Sequence, residues 1–357
     1  MLVFVGIVLF VLLVVVHEYG HFIAARKNGV EVEEFGIGFP PKAKTITKKN
    51  GTEYTLNWLP IGGFVRLKGE HDAATEKGSF GAASFPKKAL IIAAGVLMNW
   101  LTAAVIFTIL ALVGMPQLLD NQFRVASDAT VTEQRVYAGF VAEDSPAEQA
   151  GIKVGDTIKS ISSTEIVSSE QLRSTTNTYA GEKVKIVYES DSEAVTRPVV
   201  LRNDSDKGNL GISPAERTQV RSTWSAPIVG VGTTAQFTYE TFKGVGSALL
   251  NLFTGNGGKA SESVTGPVGI VVVLKDLAQQ GFVFVLFLIG VISVSLAVMN
   301  TLPIPALDGG RLFVMGLFRA MKRPLTKDVE EKIHGTGMLA LLILAALITV
   351  IDVRRFF

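Results

Sequence analysis

The sequence predicts a multi-pass α-helical membrane protein with four transmembrane helices and one extracytoplasmic α/β domain. Of 357 residues, 48% are hydrophobic and 18% charged, a balance that argues against a purely soluble chain and against long disorder. The apolar residues are gathered into four runs of bilayer-spanning length. Between the second and third runs the chain turns polar, with short alternating stretches such as Lys183-Val-Lys-Ile-Val-Tyr188 and turns at Gly139, Gly151, Gly155 and Gly181.

Residues 1–25 hold the first run. Leu2 to Val16 carry no charge, no basic segment precedes them, and no small-residue cleavage site stands before Arg26 and Lys27, so a retained helix is expected rather than a cleaved leader. Residues 26–88 form a basic loop, 89–114 the second span, and 122–215 the soluble domain. Residues 226–280 mix apolar positions with Gly and Thr and are expected to hold an amphipathic, interfacial helix and a connector. The third span covers 281–301, a second basic loop 302–335, and the fourth and shortest span 336–352.

Lysine and arginine crowd the loops 26–88 and 302–335, which the positive-inside rule makes cytoplasmic. Both termini and the soluble domain then lie outside. The 34 basic and 32 acidic residues nearly cancel and form no basic stripe, which excludes a nucleic-acid footprint. With no cysteine, disulfides and thiolate chemistry are excluded as well.

The sharpest motif is His17-Glu18-Tyr19-Gly20-His21. On a helix its histidines share one face a turn apart, where both can bind one zinc ion, and Glu18 stands beside them as a general base for water. The alternative is polar surface residues at a helix end. Ionisable groups within an apolar span are costly unless they meet a partner or a wet cavity, which favours the metal.

A hydrolytic zinc ion needs a third protein ligand and an open position. Asp308, in Asn300-Thr-Leu-Pro-Ile-Pro-Ala-Leu-Asp-Gly-Gly-Arg311, is the best candidate, because this stretch follows the third span on the same side as the motif. Pro303 and Pro305 must break the helix and can turn Asp308 back toward the metal, while Gly309-Gly310 relieve crowding. His71 and His334 have no ligand-spaced partner and are expected at ordinary surface or interfacial positions.

With these residues in view, the chain resembles the site-2 proteases, in the bacterial regulator of sigma-E protease branch. The resemblance rests on His17–His21, Leu307-Asp308-Gly309, Phe35-Gly-Ile-Gly-Phe-Pro40, Leu59-Pro-Ile-Gly-Gly-Phe64 with Gly69-Glu70, Ser84-Phe-Pro86, Gly95 to Asn99, and Thr265-Gly-Pro-Val-Gly-Ile270. It implies one zinc ion on His17, His21 and Asp308, activation of water by Glu18, and substrate contacts from Asn300 and from Gly36 and Gly38 in a membrane-dipping β-loop. Such a loop would offer an edge for an unwound substrate strand.

Residues 136–201 resemble a single PDZ domain, through Gly139-Phe-Val141, Ser145-Pro-Ala147 and Ala150-Gly-Ile-Lys-Val-Gly-Asp-Thr-Ile158. Two features depart from the family pattern: Val96 replaces the usual proline after the second-span glycine, and only one PDZ-like segment is present.

The resemblance implies an enzyme of the plasma (inner) membrane whose active site faces the cytoplasm. Its expected role is regulated intramembrane proteolysis of single-span proteins such as anti-sigma factors or signal-peptide remnants. Its expected partners are those substrates and the bilayer, with the PDZ domain contacting a substrate C-terminus or its outer region. The competing readings are a non-catalytic PDZ-bearing scaffold, for which Glu18 has no use, and a zinc carrier, for which the spans have too few polar residues.

Overall fold

The computed structural model describes residues 1–119, 121–190, 193–203, 208–254 and 266–357. The chain divides into two units, residues 1–110 with 226–357, and residues 111–225.

The first unit holds four helices long and apolar enough to cross a membrane. They are α1 (Leu2–Lys27), α2 (Phe85–Val113), α7 (Phe282–Thr301) and α9 (Lys327–Phe356). The fourth is not the shortest, as expected, but a 30-residue helix. It begins nine residues before the apolar run because the charged segment from Lys327 continues the same helix as far as Gly335. Half of the apolar window of α7 is buried against 6% of that of α9, so α7 is the central span and α9 the peripheral one.

Small residues set the helix spacing. A Cβ on Gly6 would stand 2.5 Å from Leu274, on α6 (Pro267–Gln279), and one on Gly290 2.9 Å from Phe107. Close approach of this kind is how apolar helices associate where lipid is as apolar as leucine. Asp352, fully buried near the end of α9, accepts backbone N–H bonds from Gly269 at 2.7 Å and Gly266 at 3.3 Å. Its charge thereby meets the free amides at the N-terminus of α6.

Residues Ala226–Phe253 form one helix, α5. Its first half is not simply interfacial. Phe237 packs 5.7 Å from both Phe107 of α2 and Phe287 of α7, and Thr238 accepts the Trp100 indole N–H. The connector at 255–265, including Thr265, lies outside the described residues.

Between α1 and α2 the chain forms the long strands β1 (Val32–Lys49) and β2 (Thr52–Leu67), joined at Asn50-Gly51, both with positive φ as a tight hairpin requires. Each strand works as two runs. Phe35 and Gly36 pair with Val65 and Phe64 on one side and with Tyr54 and Thr55 on the other. The Gly36–Gly38 stretch is therefore interior and cannot offer the expected edge. Gly63–Leu67 of β2 pairs with no strand but β1, among the described residues, and is an edge of the sheet, with its Val65 N–H bonded to Glu18 and its Leu67 N–H to Glu70 at 3.4 Å. Buried Glu34 is satisfied within this sheet by the Thr55 hydroxyl and Arg66.

The second unit is a seven-stranded sheet: β3 (Met115–Pro116), β9 (Ile212–Arg221), β4 (Thr130–Val141), β5 (Thr157–Ile161), β7 (Lys183–Ser190) and β8 (Glu193–Val200) in order, with β6 (Thr164–Glu165) on β5. Helices α3 (Pro146–Gln149) and α4 (Ser169–Thr178) accompany it, and both begin with a reciprocal cap. Ser145 accepts the Glu148 N–H while Glu148 accepts that of Asp144, and Ser168 and Gln171 repeat the pattern with Val167. Val136, Ile158, Ile161, Ile186 and Leu172 anchor one apolar core.

Candidate metal centre and active site

The motif helix carries its histidines to the deep face of α1, where His17 is buried. Asp308 opens α8 (Asp308–Ala320). Leu302 ends α7 in an extended conformation, as a residue before proline prefers, and the chain reverses at Ile304-Pro305-Ala306-Leu307, closed by a Leu307 N–H bond to the Ile304 carbonyl at 3.1 Å. Gly309 and Gly310 pass so close to the Thr301 and Ile304 carbonyls that no side chain fits at either position. Asp308 is thus aimed back at α1.

Its Oδ2 lies 3.1 Å from His17 Nε2 and 3.3 Å from His21 Nε2, and the two imidazole nitrogens are 3.2 Å apart. A tetrahedron with zinc–nitrogen bonds of about 2.05 Å has edges of about 3.3 Å, so the triangle has the size of one face of a zinc site. Buried Oδ2 has no contact of hydrogen-bond geometry, which leaves three lone-pair donors converging on one point.

The other ring nitrogens fix the tautomers. His21 Nδ1 donates to the Ile91 carbonyl at 2.8 Å, which leaves the Nε2 lone pair free. His17 Nδ1 lies 3.2 Å from the Asn99 side-chain amide, whose buried Oδ1 is otherwise without a partner. Turning that amide end for end lets Oδ1 accept the Nδ1–H that a metal-binding His17 carries. The Asn99 backbone is tied in turn to Ser293 of α7 at 2.8 Å. Gly95, one turn before Asn99, passes so close that a Cβ there would stand 2.7 Å from His17 Nε2. Only glycine leaves both imidazoles their place, since the same Cβ would stand closer still to His21 Nε2.

Glu18 and Asn300 line the same cavity of about 500 Å³ as the three donors, together with Phe39, Gly63, Phe64 and Val65. The edge of β2 therefore borders the site, whereas Gly36 and Gly38 do not line it. Arg311, one turn after Asp308, bonds the Glu70 carboxylate at 2.9 Å and packs over the Phe80 ring at 4.6 Å, so α8 is held from the side of the β segment.

Sequence reasoning brought together His17, Glu18, His21, Asp308 and Asn300, and missed Asn99 and His334. A lone amide in an apolar span was the available signal for Asn99. His334 is not an ordinary surface residue: its Nδ1 accepts the Ala306 N–H at 3.1 Å.

A family model described as Peptidase family M50 matches residues 5–344. The chain belongs to that family. Among family relatives, one from Clostridium acetobutylicum is 32% identical over 98% of this chain and 96% of its own length, and one from Clostridium perfringens is 31% identical over 96% and 95%. Both are called, by inference, zinc metalloproteases. A third, the zinc metalloprotease RasP of Shouchella clausii, is 26% identical over 98% of each chain.

Proposed function

We propose that the chain is a zinc-dependent intramembrane endopeptidase that cleaves single-span membrane proteins. The observation that carries this is the convergence of His17, His21 and Asp308 at 3.1–3.3 Å, with Glu18 in the same cavity. His17, His21 and Asp308 hold the ion, and Glu18 is the general base. Zinc, when bound, supplies a Lewis acid that polarises the scissile carbonyl and acidifies the attacking water.

Glu18 takes the proton of that water and passes it to the leaving amine nitrogen. The substrate helix unwinds first, because a helical peptide bond is sheltered by its own hydrogen bonds. The unwound segment lies along Gly63–Val65, where a strand edge borders the cavity, and takes the Val65 N–H that Glu18 now holds. Asn300, on the last turn of α7 and lining the same cavity, orients the substrate backbone.

The soluble unit acts before chemistry, chiefly by excluding substrates with large outer domains. A groove of about 390 Å³ lined by Leu172, Arg173, Asn177 and the Gly208–Pro214 stretch offers it a place for an extended peptide end.

Incubation of the detergent-purified protein with tagged single-span reporters tests the proposal. Cleavage should stop with a zinc chelator and return on adding zinc; chelator-resistant cleavage, or none across a panel of reporters, contradicts it.

A further inference from the structure

Ala306 has φ +80, a left-handed conformation that a residue with a Cβ seldom adopts. It is the third residue of the Ile304–Leu307 turn, with proline second. A positive φ there is the type II arrangement, which normally has glycine or asparagine at that place. The chain carries neither. By its own preference Pro305-Ala306 would form a type I turn, in which the middle peptide is flipped over.

Two features of α9 oppose the flip. His334 Nδ1 accepts the Ala306 N–H at 3.1 Å, so the ring is neutral with its proton on Nε2. Gly337, three residues on, leaves room for the other end of the same peptide, where a Cβ would stand 2.6 Å from the Pro305 oxygen. One peptide plane, two residues before Asp308, is thereby held at its N–H and given room at its C=O. Flipping it would redirect the chain where Asp308 is aimed at the histidines.

We propose that His334 is a positioning residue: its Nδ1 acceptor holds the Pro305–Ala306 peptide in the type II orientation and so keeps Asp308 in the metal-binding pose. This rests on the reading of Asp308 as a metal ligand. His334 touches neither substrate nor metal in this role, and the ring acts as a hydrogen-bond acceptor rather than as filling.

Three variants separate these roles when zinc affinity of the purified, full-length protein is measured by competition with a graded series of chelators. His334→Phe keeps a ring and loses the acceptor; zinc should bind about tenfold more weakly, the lower end of what losing an outer partner of a metal ligand costs. His334→Asn loses volume but keeps an oxygen near the place of Nδ1, and should bind nearly as the unmodified protein does.

The third variant, His334→Phe combined with Ala306→Gly, supplies a residue that adopts the type II turn unaided and should regain most of the lost affinity. A packing role predicts the reverse order for Phe and Asn and no rescue by glycine, and that result overturns the proposal, as does equal affinity in all three. Asp308→Ala, measured alongside, tests the underlying reading separately. If it binds zinc normally, the ligand assignment falls and this inference with it; if it loses zinc while His334→Phe does not, only the role of His334 falls.

Discussion

Asn99 shows how one side chain can decide a site without touching the reaction. Its amide lies 3.2 Å from His17 Nδ1, and the hydrogen bond it makes there decides which imidazole nitrogen is free for a metal. Asn99→Ala should therefore weaken zinc binding by about 10- to 100-fold while the protein stays folded, as read by zinc retention during dialysis against a chelator. The motif residues were legible because helical spacing alone brings His17 and His21 together and leaves Glu18 beside them. Asn99 and His334 were not, because their partners lie 82 and 28 residues away and depend on which helices pack. Gly95 is a similar case. Its lack of a side chain has meaning only once α2 is seen to cross the histidines.

At the scale of elements, the two proline breaks and the paired glycines foretold the turn that carries Asp308, since each removes a local option from the backbone. The β segment was foretold less well. It came from the family resemblance, but which strand ends at an edge is set by pairing between runs distant in sequence, and the structure gives the edge to Gly63–Leu67 rather than to Gly36–Gly38. The start of α9 was misplaced because hydropathy finds the apolar part of a helix and not its charged entry.

That entry is structural. Buried Glu330 accepts the Asp72 N–H at 2.8 Å and stands 3.7 Å from Arg311 Nε. Glu330→Ala should cost about 1–3 kcal/mol, by leaving the amide unsatisfied and the guanidinium short of a partner, measurable as a lowered unfolding midpoint in detergent.

Asp128, in the second unit, accepts from the hydroxyls and backbone N–H groups of both Thr223 and Ser225. Desolvation would raise its carboxyl pKa, but these four bonds outweigh it and hold the group well below its ordinary 3.8. A lowered folded-state pKa means that the stabilisation is complete above 3.8 and is lost as pH falls through the folded value. Asp128→Asn should consequently lower stability at neutral pH and flatten its decline in acid, as followed by thermal unfolding between pH 6 and about pH 2.

For the molecule as a whole, four helices long and apolar enough to cross a membrane, a polar α/β unit and a donor triangle were all readable from hydropathy, alternation and one motif. Sidedness rests on the lysine and arginine bias alone. The chain has no cysteine, so single cysteines can be placed and labelled one at a time. A cysteine at Lys332 should be shielded from a membrane-impermeant thiol reagent in intact cells and labelled after permeabilisation, and one at Lys185 should be labelled in both; the opposite pattern would invert the topology.

The most direct test of the central claim is to measure zinc content and reporter cleavage on one preparation of Glu18→Gln. Zinc should stay at one ion per chain while cleavage falls by about 10²- to 10⁴-fold, because the carboxylate moves a proton and is not a ligand. Full cleavage by the variant, or loss of zinc together with activity, would contradict the claim.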